Sequence, residues 1–235
     1  MEKNHNKGGS DERMKYFTKE WYRESQVYGF LVFHETMEDW EEDITWHTRE
    51  GLDFEERQRN DLERRKPDLL EFLPESFHPY IEDASIRLQY PTPELREMAA
   101  IWREDYSTRS KRLWEERRTS YQAIRGFLPD SAVQLYEKSL HDARVLSVER
   151  PSESELVLSL DCGGCMHYYT EVKLTFIGGS PPFPDIPVGG FWLYEEIDKT
   201  DDGFELRVLF DFPLTEATIR ARDVRIEVSA ENDAI

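Results

Sequence analysis

The chain of 235 residues is poor in cysteine, has no long apolar run and is short of positive charge. Its two cysteines, Cys162 and Cys165, are too few to build a fold of this size on disulfides. No stretch approaches the ~18–20 apolar residues of a membrane-crossing helix. The polar opening Met1 to Ser10 lacks the apolar centre of a secretion signal. The cytoplasm is therefore the expected compartment. Thirty Lys and Arg stand against 49 Asp and Glu, a formal net charge of −19. Such a chain is expected to bind neither nucleic acid, whose backbone is held by displacing counterions with basic side chains, nor an anionic membrane surface. Also missing are the Gly-x-Ser-x-Gly nucleophile turn and both glycine-rich phosphate loops. What is present is aromatic: 13% Phe, Trp and Tyr, enough large rings to drive burial and exclude a disordered chain.

The order of patterns predicts an α+β protein, with a helical N-terminal part packed against a mainly antiparallel C-terminal β-sheet. Residues 1–13 and 230–235 read as tails, 14–140 as helical and 141–229 as strands. Thr18 is a candidate cap for a helix carrying Trp21, Val27 or Tyr28, and Leu31, extending towards Trp40. Asp53 is expected to cap a second helix, with Pro67 bending or ending it. Thr92-Pro93-Glu94 combines a cap, a first-turn proline and an acidic residue on the positive end of the dipole. The stripe Leu95, Met98, Trp102, Tyr106, Leu113, Tyr121 and Ile124 then predicts one helix over about 93–126. Phe72-Leu-Pro-Glu-Ser76 and Phe127-Leu-Pro-Asp-Ser131 form a weak repeat, in which Leu-Pro ends one helix before another starts. Seven strands are expected at 144–149, 156–161, 168–176, 191–196, 204–210, 217–221 and 224–228, joined by short antiparallel connections and one long loop over 178–190.

These residues resemble a bacterial family known as domain of unknown function 4085, found largely in Gram-positive bacteria. The resemblance rests on Met14-Lys-Tyr-Phe-Thr-Lys-Glu-Trp-Tyr22, the two Leu-Pro breaks, His141-Asp-Ala-Arg-Val145, and Trp192-Leu-Tyr-Glu-Glu196 ahead of Gly203-Phe-Glu-Leu206. It spans Met14 to Val228 and implies no catalytic residues. The family's usual start leaves Met14 open as an alternative initiation site to Met1.

Several constellations carry chemistry. Cys162-Gly-Gly-Cys165 has the spacing that brings two sulfurs to one centre, and His167 follows two residues later, so Cys162, Cys165 and His167 are a candidate metal set. A glycine hairpin that happens to be flanked by cysteines is the expected reading, with metal binding and thiol–disulfide exchange as the alternatives. His34 and His47 bracket an acidic run and form i,i+4 pairs with Glu38 and Asp43. The repeated Glu-x-x-His pattern of a di-metal bundle is absent, so a solvated acidic helix face is the expected reading. His141-Asp142 is an adjacent pair of the kind found in metal-dependent phosphohydrolases, but at a helix-to-strand junction a capping or hydrogen-bonding role is the expected one. Glu195 and Glu196 point to opposite faces of a strand, so they are not an acid/base pair. Whichever faces inward needs an arginine such as Arg207 or Arg220. Phe183, Phe191, Trp192 and Tyr194 are the candidate binding surface, since aromatic rings are enriched at interface anchors.

No complete catalytic set can be assembled, and no cofactor is expected. The chain is expected to be a non-enzymatic binding protein that meets a basic protein, as immunity proteins meet basic toxins. The alternative is a metal-dependent hydrolase using His141, Asp142 and His167. Residues 141–235 hold 8 basic against 19 acidic residues, so the sheet and its long loop are the expected landing place.

Overall fold

A computed structural model describes residues 13–179 and 181–229; the segments read as tails lie outside the described residues, apart from Arg13. The protein is α+β, with its helices in the N-terminal part followed by seven antiparallel strands. Two compact units divide it. One comprises residues 20–113, and the other residues up to Lys19 together with those from Trp114 onward.

The first unit is helical. It holds α1 (Lys19–Phe30, whose first residue belongs to the other unit), α2 (Met37–Arg49), α3 (Phe54–Phe72), the short α4 (His78–Glu82) and α5 (Ser85–Leu88), and the first part of α6 (Pro93–Ile124). Its core gathers Val27, Phe30 and Leu31 with Leu62, Leu69, Phe77, Ile86 and Leu95. The helix expected to reach towards Trp40 is two helices. Thr36 starts the second one, accepting from the Asp39 N–H while Asp39 accepts from the Thr36 N–H, a reciprocal cap. Pro67 does not end α3 either. It stands exposed, while Leu62 and Leu69, seven residues apart on one face, are both buried. A proline inside a helix costs about 3 kcal/mol, and burying residues such as Leu69 and Leu73 offsets that cost. The Thr92-Pro93 start is present, with the Thr92 hydroxyl accepting from the Leu95 N–H at 3.2 Å.

The second unit holds the rest of α6, α7 (Asp130–Glu137) and the sheet: β1 (Arg144–Ser152), β2 (Glu155–Asp161), β3 (Glu171–Ile177), β4 (Phe191–Lys199), β5 (Phe204–Asp211), β6 (Thr215–Ala221) and β7 (Asp223–Val228). The order is β6-β5-β4-β1-β2-β3-β7. β1 and β4 share only the pair Arg144 and Phe191. The opposite edges β6 and β7 are joined through the single residue Arg222, so the sheet curls around its core. Leu156, Leu158 and Leu160 of β2 alternate inward to meet Leu174 and Phe176, and Phe204, Leu206 and Val208 of β5 do the same. Both Leu-Pro repeats have their leucine extended and buried with a helix after the proline, one in each unit.

Candidate functional site

The loop after β2 brings Cys162 and Cys165 together. The Cys165 N–H donates to the Cys162 carbonyl at 2.9 Å, and the Cys165 thiol donates to the Leu140 carbonyl at 3.8 Å. Both side chains are buried, and burial pushes both thiols above their usual range. Burial thus favours the protonated thiols, the form that does not attack. His167 stands exposed. Among the described residues, no three His, Cys, Asp or Glu side chains gather as a metal site.

At the pair His141-Asp142, Asp142 takes a left-handed conformation (φ 70°) and its N–H donates to the Trp192 carbonyl at 2.9 Å. His141 Nδ1 bonds the Leu193 carbonyl, and its Nε2 lies 3.7 Å from the Asp142 carboxylate. The histidine is thereby oriented by main chain. Its ring lies 5.1 Å from that of Tyr194.

The four candidate binding aromatics are divided. Trp192 is a core residue with no exposure, its indole N–H donating to Glu195 at 2.8 Å, so it presents no surface. Tyr194 packs on Phe17 with ring centroids 4.9 Å apart. Phe191 lies edge-on to Phe212, and Phe183 is half-buried beside Gly179. A register shift between Trp192 and Tyr194 explains part of this division, because an extra residue breaks the two-residue alternation.

The shift lies just ahead of Glu195 and Glu196, which are both buried, contrary to simple alternation. Burial raises the Glu195 pKa, with the Trp192 bond and Arg117 opposing it. Glu196 has a different task. Its carboxylate accepts from three successive main-chain N–H groups, Lys15 at 2.8 Å, Tyr16 at 2.7 Å and Phe17 at 2.9 Å. Arg207, 3% exposed, lies 3.7 Å from Glu196 and bonds Asp198 at 2.7 Å and Glu205 at 2.6 Å. Arg220 bonds Glu205 from the other side at 2.6 Å. These ionic groups bind one another and the segment 15–17, and they hold the fold, with Arg207 Nε and Nη1 left without a hydrogen-bond partner among the described residues.

The open, acidic surface is elsewhere. Residues 35–56 contain ten Asp and Glu against the single base Arg49, nearly half of the chain's net negative charge. Nine of the ten carboxylate residues are exposed, Asp43 being the exception. They sit on the hairpin of α2 and α3, whose turn is tightly determined. The Gly51 N–H donates to the Thr48 carbonyl at 3.1 Å, and the Leu52 N–H donates to the His47 carbonyl at 2.8 Å. With Gly51 at φ 70°, this is the six-to-one, five-to-two helix end that only a residue tolerant of positive φ closes cheaply. Asp53 then caps α3, accepting from the Glu56 N–H at 2.9 Å. Beneath the turn, Phe54 meets Trp40 and His47 edge-on at 5.1 and 5.2 Å. Asp43 lies between two histidines, 3.2 Å from His34 Nε2 and 3.3 Å from His47 Nδ1.

Beside this hairpin lies an open groove of about 580 Å³, lined by the apolar Ile44, Leu52, Phe54 and Leu88 together with Asp53 and Glu55. The acidic run had been legible as a solvated helix face. The groove was not, because Leu52 and Leu88 are far apart in the chain and only the turn and α5 bring them together. Thr36-x-x-Asp39 and Gly51 ahead of Asp53 were the signals that marked a hairpin here.

No curated protein and no solved structure matches the chain. A family model does, and it reaches from Tyr16, in the segment held by Glu196, to the end of β6. The matching family is described as Protein of unknown function (DUF4085), the match covers residues 16–221, and the chain belongs to that family.

Proposed function

We propose that the protein is a non-enzymatic binding protein that meets a basic partner protein through the α2–α3 hairpin. The observation that carries this is the concentration of exposed carboxylates over residues 35–56 on a turn fixed by its own main-chain bonds. Concentrated charge of one sign steers an oppositely charged partner and selects it over others. A pre-formed turn also has little ordering entropy left to lose on binding. The strand part is acidic by composition too, but Glu195, Glu196 and Glu205 are inside it and paired, and its exposed carboxylates are interspersed with exposed bases such as Arg144, Arg150 and Lys173. This supports the hairpin, rather than the sheet and its long loop, as the contact surface. An immunity-type pairing with a basic toxin is one form such a partnership takes.

The test is calorimetric titration with oligolysine at low salt. Replacing Glu38, Glu41 and Glu42 by Gln is expected to weaken binding about tenfold, since each exposed pair contributes roughly 0.2–1 kcal/mol. Replacing the exposed Glu149, Glu153 and Glu227 of the strand part by Gln should change it far less. Equal losses from the two triple variants would contradict the assignment.

A further inference from the structure

The charge of the hairpin says which sign of partner it meets; the groove says what shape. Resting on the binding function above, we infer that the groove over Ile44, Leu52, Phe54 and Leu88 docks an amphipathic basic helix of the partner, with its apolar face on the floor and its Lys and Arg towards the rim. Four apolar side chains and the carboxylates of Asp53 and Glu55 line it together, the complement of that one face. Exposed apolar side chains alone would attract any hydrophobic segment. Carboxylates at the wall, Asp53 and Glu55, penalise segments that bring no positive charge.

A helix, rather than an extended segment, follows from the main chain around the groove. Its walls are helix ends, several of whose polar groups are taken. The His47 and Thr48 carbonyls accept from the turn, and the Asp53 side chain covers the Glu56 N–H at the start of α3. The residues that line the groove are helical or belong to the turn between helices. An extended peptide would therefore seat its own N–H and C=O groups against apolar side chains without partners, a loss of about 1–3 kcal/mol for each buried group. A helix satisfies those groups internally and offers side chains at three- and four-residue spacing. The floor is rigid enough to select it, because Phe54 is wedged between Trp40 and His47.

The experiment uses the full chain and three synthetic probes: a helical peptide with leucines on one face and lysines on the other, the same composition scrambled to abolish the apolar face, and oligolysine. The patterned peptide is expected to bind about tenfold more tightly than the scrambled one, the gain from burying one leucine or slightly less. Thr48→Trp, at an exposed position on the groove wall, should fill the groove and erase that preference while leaving oligolysine binding intact. Ile44→Ala should reduce the preference without adding bulk. Equal affinity of patterned and scrambled peptides, or a preference that survives Thr48→Trp, would overturn the helix-docking inference while leaving the charge-driven contact standing. Failure of all three probes to bind at low salt would overturn both.

Discussion

The main-chain N–H of Leu52 donates to the carbonyl of His47 at 2.8 Å, and this one bond turns the chain from α2 into α3. It requires Gly51 to stand at φ 70°, where a side chain would meet no neighbour but would strain its own backbone. Gly51→Ala should therefore cost about 1–2 kcal/mol from conformation alone. Urea denaturation reads that loss, and the midpoint should move without a change in slope.

Glu196 offers a sharper test of what holds segment 15–17. Its carboxylate takes three N–H groups and lies beside the buried Arg207. Glu196→Ala leaves a buried guanidinium and three donors short of an acceptor, a loss of about 3–5 kcal/mol. Glu196→Gln keeps one acceptor oxygen and should lose less. Amide hydrogen exchange should show Lys15, Tyr16 and Phe17 opening first in the glutamine variant. Continued protection of those amides would contradict the role given to Glu196.

Much of the architecture was legible because its signals are local. All seven strands lie where β-branched and aromatic runs are divided by Gly, Pro and Asp, and Thr92-Pro93 and Asp53 start the helices they were expected to start. The misreadings came from tertiary terms. Leu69 and Leu73 are buried beyond Pro67, which keeps α3 helical through a residue that ends isolated helices. The register shift after Trp192 precedes two buried glutamates that alternation would have separated. Nothing in the spacing of Glu196 announces that residues 180 positions earlier lie on it. The candidate site was half visible: its charge is written in the run from Glu35 to Glu56, but its apolar floor is assembled only by folding.

The two cysteines give a chemical prediction. Burial raises both thiols, so neither is a thiolate at neutral pH. Alkylation of the native protein at pH 8 should leave Cys162 and Cys165 unmodified, and both should react after denaturation. Peptide mass analysis reports each site. Fast modification of the folded chain would show that the loop after β2 opens to solvent.

Acid should loosen the start of α2. The Thr36 hydroxyl, and then its main-chain N–H, hold the Asp39 carboxyl below its usual range. A carboxyl whose pKa is lowered by folding stabilises the fold above its unfolded pKa, and that contribution is lost as pH falls through the folded value. The cap should therefore be lost as the pH falls below the ordinary aspartate range. Asp39→Asn should flatten this part of the acid limb relative to the parent protein. Acid-dependent amide exchange at residues 37–40 is the measurement, and identical profiles for the two proteins would refute the cap's contribution.

The central claim is that the α2–α3 hairpin is where a basic partner lands. Amide NMR of the full chain titrated with oligolysine tests it most directly. The account predicts the largest shifts over residues 35–56, with the amides of β4 and β5, where Glu195, Glu196 and Glu205 are buried and paired, nearly unmoved. Shifts centred on the strands, or spread evenly over every acidic surface, would contradict it.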